Sequence, residues 1–98
     1  MNEFLDACIN GKIDIVKQLL PQVDSSAQDN YAIRWAAENG YKDIVELLLR
    51  DSRVDPSAND NEAIRLATCN VHKDIVELFE QHQYKIDNIG YNEMAKLK

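Results

Sequence analysis

The chain reads as an all-α solenoid, a row of stacked helix pairs, because it repeats itself at a nearly constant spacing and each copy carries two helical patterns. Asp29-Asn30-Tyr31-Ala32-Ile33-Arg34-Trp35-Ala36 returns with substitutions as Asp60-Asn61-Glu62-Ala63-Ile64-Arg65-Leu66-Ala67, and Lys42-Asp43-Ile44-Val45-Glu46-Leu47 returns unchanged as Lys73-Asp74-Ile75-Val76-Glu77-Leu78, both at an offset of 31 residues. A third copy lies upstream, where Asp14-Ile15-Val16-Lys17-Gln18-Leu19-Leu20 matches Asp43-Ile44-Val45-Glu46-Leu47-Leu48-Leu49 at an offset of 29. Periods in this range mark units that cannot bury their own apolar face, so each needs a neighbour.

Length and composition agree with a single domain over residues 1–98. An apolar fraction of 45%, a charged fraction of 29% and only 3 Gly and 2 Pro fit a chain folded along its whole length. A net charge of -6 and a pI near 4.7 work against binding a phosphate backbone, since that affinity comes from clustered Lys and Arg. Basic or neutral protein surfaces are the expected partners. The start Met1-Asn2-Glu3-Phe4-Leu5-Asp6 lacks the basic and apolar regions of a signal peptide, and no apolar run approaches membrane-spanning length. The expected setting is therefore the cell interior, with no membrane association. Cys8 and Cys69 fall in different units, farther apart than the ~7 Å a disulfide tolerates, so two free thiols in a reducing compartment are expected.

Each unit resolves into a first helix, a short turn, a second helix and a polar linker. At ~100° per residue, Ile33, Ala36, Ala37 and Gly40 share one face of the middle unit's first helix, while Arg34, Trp35, Glu38 and Asn39 share the other. Paired Ala lets neighbouring helices come close, which permits tight stacking. In the third unit Ile64, Ala67 and Thr68 take the stacking face, opposite Arg65, Leu66, Cys69 and Asn70. The second helix spreads Ile44, Val45, Leu47, Leu48 and Leu49 over more than half its circumference, leaving Asp43, Glu46 and Arg50 for solvent; such a helix is sandwiched. Ile75, Val76, Leu78 and Phe79 keep the pattern, whereas Glu80 replaces Leu49 and suits the polar outer face of a terminal unit.

The linkers Val23–Asn30 and Val54–Asn61 align at 31 residues and are rich in turn formers. Their Asp29-Asn30 and Asp60-Asn61 pairs tolerate left-handed backbone and are expected to supply both the chain reversal and the cap of the next helix. Pro21 closes the first unit's second helix early, which accounts for the shorter offset. Asp14, Asp43 and Asp74 repeat in register at the start of the second helices, where a carboxylate favours the helix dipole.

The run Ala36-Ala37-Glu38-Asn39-Gly40-Tyr41-Lys42-Asp43-Ile44-Val45-Glu46-Leu47-Leu48-Leu49 resembles the central signature of the ankyrin repeat, and the resemblance covers about residues 3–87. It implies three helix-turn-helix units, about 1–23, 24–54 and 55–86, joined by β-hairpin-like loops, and a partial C-terminal capping unit over 87–98. The Asp-Asn-x-Ala-Ile-Arg openings are similar to those of ankyrin arrays in giant DNA viruses. Several positions depart from the family. Tyr31-Ala32-Ile33-Arg34 and Glu62-Ala63-Ile64-Arg65 stand where Thr-Pro-Leu-His is usual, moving the cap back to Asn30 and Asn61. Gly11 and Gly40 between the helices become Val71 in the third unit. A left-handed Val costs about 1–2 kcal/mol, so a different or looser turn is expected over Asn70-Val71-His72.

The resemblance implies a non-catalytic module that binds proteins through its loop tips and the exposed face of its first helices. The candidate contacts are Gln28, Asn30, Tyr31, Trp35, Glu38 and Asn39 of the middle unit, with Asn59, Asn61, Glu62, Leu66, Cys69 and Asn70 of the third. Trp35 leads them, because it lies about 200° from Ile33 at that spacing and exposed Trp is enriched at interaction hot spots. Arg34 and Arg65 repeat in register, so a structural bond to a nearby loop is expected of them. Cys69, His72 and His82 do not have the spacing of a four-ligand zinc site. No phosphate-cradling Gly loop and no Ser-His-acid arrangement points to catalysis. Neither metal nor cofactor is expected. Two alternatives are a regulatory inhibitor that occludes a partner enzyme and a self-associating structural module; a monomer is the expected state.

Overall fold

The structure, a computed structural model, describes residues 3–82. Five helices have both ends within that span: α1 (Glu3–Asn10), α2 (Ile13–Leu19), α3 (Ala27–Asn39), α4 (Lys42–Leu49) and α5 (Ala58–Cys69). A sixth, α6, is helical over 73–82. Helix α3 packs against both α1 and α5, and α2 packs against α4. The first helices of the units thus form one row and the second helices another, as stacked units require. The expected capping unit at 87–98 lies outside the described residues. No strand occurs among the described residues, so the linkers are turns rather than the β-hairpin-like loops the resemblance implied.

Small residues set the spacing of the first row. Ala7, Ala32, Ala36, Ala37, Ala63 and Ala67 are all buried, together with Phe4, Leu5, Cys8 and Ile33. In the second row Val16, Ile44, Val45, Leu48, Ile75 and Phe79 are buried, while Leu47, Leu49, Val76 and Leu78 are partly covered. Thr68 departs from expectation: it is exposed and its hydroxyl donates to the Ile64 carbonyl at 2.8 Å. Its equivalent Ala37 is buried because α5 covers it, and no described helix covers α5 in turn. Pro21 acts as expected, since α2 gives way to a 3₁₀ turn over Leu20–Gln22 that carries it.

The inter-helix turns repeat closely. Lys12, Tyr41 and His72 each donate a backbone N–H to the carbonyl of Ala7, Ala36 and Ala67, at 2.9, 3.0 and 2.9 Å. The preceding residue is left-handed in all three, with φ of +72° at Gly11, +80° at Gly40 and +59° at Val71. The looser turn expected at Asn70-Val71-His72 does not occur: the same turn hydrogen bond forms and Val71 is held in the conformation its sequence disfavours. Gly is required in the earlier units for a second reason. A Cβ on Gly11 would stand 2.8 Å from the Tyr41 ring, and one on Gly40 would stand 2.7 Å from the His72 ring. Each unit therefore lays a ring on the glycine of the unit before it. Val71 is 69% exposed, so its side chain meets no such ring among the described residues.

Polar contacts tie consecutive linkers together. Ser25, one of two buried polar residues among the described residues, donates its hydroxyl to Asp51 Oδ2 at 2.8 Å. Arg53 grips the same carboxylate through Nε and Nη2, and it also donates to the Val23 and Leu20 carbonyls at 2.7 and 3.2 Å. The hydrogen bonds from Arg53, joined by that from Ser25, hold the Asp51 carboxyl well below the usual carboxylate range. A depressed folded-state value means that the contribution is complete above the unfolded pKa of about 4 and is lost as pH falls below it.

Two outcomes follow for stability. Replacing Val71→Gly is expected to stabilise by about 0.5–1 kcal/mol, the relief of left-handed strain less the added chain entropy of Gly, whereas Gly40→Val is expected to cost about 2 kcal/mol or more; urea midpoints of the two variants check this. Asp51→Asn is expected to lower stability at pH 7 and to flatten the loss of stability between about pH 4 and pH 2, read from urea midpoints across that range.

Candidate functional site

The loop tips carry an unusual backbone. Gln28, Asp29 and Asn30 have φ of 57°, 56° and 61°, and Asn59, Asp60 and Asn61 have φ of 59°, 58° and 60°. Three successive left-handed residues cost several kcal/mol in most sequences, at about 1–2 each, and less where Asn and Asp occupy them. Arginine secures the turn. Arg34 donates from Nε to the Asp29 carbonyl at 3.1 Å and from Nη2 to the Gln28 carbonyl at 3.0 Å. Arg65 repeats this on the Asp60 and Asn59 carbonyls at 2.9 and 3.2 Å. A charge-assisted bond contributes about 1.5–3 kcal/mol, so the fork offsets much of the strain. This is the structural role expected of both arginines, with the partner being the linker immediately before each helix.

Asn30 is placed otherwise than expected. It is only 7% exposed, and its Oδ1 accepts the backbone N–H of Asp55 at 2.8 Å. It therefore latches one linker to the next and neither caps α3 nor reaches a ligand. The reversal expected of Asp29-Asn30 is present; the cap is not. Asn61 is exposed and makes no side-chain hydrogen bond with the described residues, so it too does not cap its helix.

Several other candidate contacts are engaged by the scaffold. The Glu62 carboxylate accepts from the Asn59 amide and from Arg34 Nη1 at 2.9 Å, and these bonds, Asn59 first, hold its pKa below the ordinary value. The Asn70 amide donates to the Leu66 carbonyl at 2.9 Å, and that of Asn39 reaches across units to the Ile9 carbonyl at 3.5 Å. The Glu38 carbonyl accepts from His72 Nε2 at 2.9 Å, which leaves its carboxylate without a partner among the described residues.

What remains available is a strip along the first helices. Trp35 is half-buried, and its ring is tilted by 48° against that of Tyr31 with the centroids 5.6 Å apart. Arg34 Cζ lies 5.6 Å from the Tyr31 centroid, close enough for a cation–π contact. Leu66 is half-buried, whereas Gln28 and Cys69 are exposed. Cys69 and Cys8 are both free; burial pushes the Cys8 thiol up to about 12. Two members of the strip are missing from the sequence-based set. Asp6 and Ile9 of α1 stand 29 residues before Trp35 and Glu38, and hence at equivalent positions in the first unit. The repeat offset that aligned the units was the signal that could have found them.

Among the described residues no group of three or more His, Cys, Asp and Glu could hold a metal ion, and no helix is long and apolar enough to cross a membrane. A family model described as ankyrin repeats in three copies matches residues 4–90. The chain belongs to the ankyrin repeat family. Ankyrin repeats generally serve as protein–protein interaction modules, and the matched span takes in the helix pairs α1–α2, α3–α4 and α5–α6. No curated protein and no solved structure matches the chain.

The Asn30 latch is open to a direct check. Asn30→Ala leaves the Asp55 N–H without its acceptor and is expected to cost about 1–3 kcal/mol, measured by chemical denaturation; a variant as stable as the native chain would contradict the latch.

Proposed function

We propose that this ankyrin repeat domain is a non-catalytic module that binds a partner protein through the first-helix strip and the loop tips. The observation that carries the reading is the position of Trp35. A large aromatic stays half-buried in the middle of the row, level with Leu66 on the next helix, while Arg34, Asn59 and Glu62 nearby are tied into the scaffold. Partly exposed Trp is the kind of residue that anchors interfaces. Tyr31, Glu38 and Cys69 border it, and Gln28 and Asn61 lie at the loop tips. Asn30 is removed from the contact set by its burial. Whether binding scaffolds the partner or inhibits an enzyme is decided by the partner's activity in the complex. The setting we propose is the cytoplasm, or a host's cytoplasm if the chain is viral, as the likeness of its unit openings to giant-virus arrays suggests.

A second reading, self-association, draws on the α5–α6 end of the described row. Ala67, Thr68, Val71, His72 and Val76 line a groove there, and Ile64 is only half-buried whereas its equivalent Ile33 is buried. Sedimentation over a range of concentrations tests it, with a monomer throughout counting against it.

The main reading is tested by affinity capture with the native chain, Trp35→Ala and Glu38→Lys, each checked for helicity and cooperative melting. Both substitutions are expected to reduce a specific catch at least about tenfold, since hot-spot truncations cost 2 kcal/mol or more. A catch unchanged by either, with folding intact, would place the contact elsewhere.

A further inference from the structure

The strip around Trp35 has an unequal distribution of unpaired charge. Arg34 and Arg65 are the two cations of the first-helix row, and both are engaged: Arg34 with the Gln28 and Asp29 carbonyls and Glu62, Arg65 with the Asn59 and Asp60 carbonyls. Five carboxylates are not. Glu3, Asp6, Asp29, Glu38 and Asp60 make no side-chain hydrogen bond or ion pair with the described residues; Glu3 holds the place of the buried Ala32 and is not part of the strip, which leaves four. Lys12 precedes α2 while Lys42 and Lys73 open α4 and α6, at the opposite end of each first helix from the loop tips, each with Asp14, Asp43 or Asp74 close by in sequence.

Register places two of these carboxylates beside the indole. Asp6 holds the Trp35 position in the preceding unit, and α1 packs directly on α3. Packed helices lie about 8–10 Å apart, so Asp6 flanks Trp35 on one side. Glu38 stands one turn further along α3, on the same face. Leu66 holds the equivalent position on the other side, on α5. An aromatic face bordered by carboxylates suits a guanidinium or ammonium group, which stacks on the ring while its N–H donors reach the oxygens. Arginine suits it best, because its planar fork can do both at once.

From this, and resting on the interaction face proposed above, we infer that the partner is a protein segment that sets a cationic side chain, Arg before Lys, on Trp35 between Asp6 and Glu38, with an apolar residue against Leu66. Asp29 and Asp60, one per loop tip, receive further basic residues of the same segment. Acidic segments and nucleic acid are repelled by the same four carboxylates.

The test is a random 12-residue peptide display library panned against the full chain, with the selected sequences resynthesised and their affinities measured. Peptides with Arg or Lys beside an aliphatic residue are expected. Asp6→Asn combined with Glu38→Gln, both at positions outside the core, is expected to weaken them about tenfold, in line with two ion pairs, and higher salt is expected to weaken them further. Neutral or acidic peptides that still lose binding on Trp35→Ala would overturn this inference and leave the interaction face standing. Peptides that bind Trp35→Ala as well as the native chain would overturn both. A selection without any specific binder would overturn the cationic contact.

Discussion

The close approach of the first helices is the constraint on which the rest of this structure depends. Ala36 and Ala37 on α3, with Ala7 on α1 and Ala63 and Ala67 on α5, are buried to the point of having almost no exposed surface. A side chain this small adds little apolar area of its own. Its contribution is to let backbones come together, so that Phe4, Leu5 and Ile33 fill what space is left and the larger residues of the second helices close the other side. Once α3 is gripped from both flanks, its rotation about its own axis is settled. Trp35 and Glu38 must then face outward, because any rotation that buried them would drive Ala36 and Ala37 into solvent and an indole into a gap sized for a methyl group.

The linkers meet a different demand, the satisfaction of backbone polar groups in turns that no strand pairing supports. Left-handed runs at 28–30 and 59–61 turn three consecutive carbonyls out of helical register. The Arg fork restores two of those bonds in each unit, and Asn30, Ser25 and Arg53 tie one linker to the next. Among the described residues no buried side-chain nitrogen or oxygen lacks a partner. The stack is therefore joined by a dry layer of small apolar residues on the helix side and a layer of directional polar bonds on the loop side. The polar layer adds specificity of register, since Asn30 finds the Asp55 N–H only if the units are aligned to the residue.

Much of this was legible in the sequence because periodicity survives substitution. The units, their helix pairs, the stacking face Ile33-Ala36-Ala37 and the structural use of Arg34 and Arg65 all follow from the 31-residue offset and from helical spacing. What escaped was of two kinds. Burial of a polar side chain, as at Asn30, depends on where the next linker passes, and no local propensity records that. The turn at Val71 shows the other kind, in which tertiary structure overrides a local preference: a penalty of about 1–2 kcal/mol is set against the burial of Ala67, Ile75 and Phe79 on the helices that the turn joins. Thr68 was misread for a related reason, since spacing marks a stacking face but says nothing about whether a neighbour arrives to cover it.

The contrast between repeated and unrepeated positions separates scaffold from surface more sharply than exposure does. Where stacking or a linker bond needs a residue, the chain mostly writes the same type in successive units, as with Arg34 and Arg65, Ala36 and Ala67, or Ile44 and Ile75, with Val71 in place of Gly40 an exception. Asp6, Trp35 and Leu66 occupy equivalent places, as do Ile9, Glu38 and Cys69, and no two members of either set are alike. The solenoid accepts an acid, an aromatic or an aliphatic side chain there, because α1 and α5 both pack on α3 and all three helices end in the same turn whichever is present. Such positions carry no folding requirement that would choose between those chemistries. The combination actually present, an indole between an acid and an aliphatic residue, is therefore a property of the surface that the stack presents and not of the stack itself.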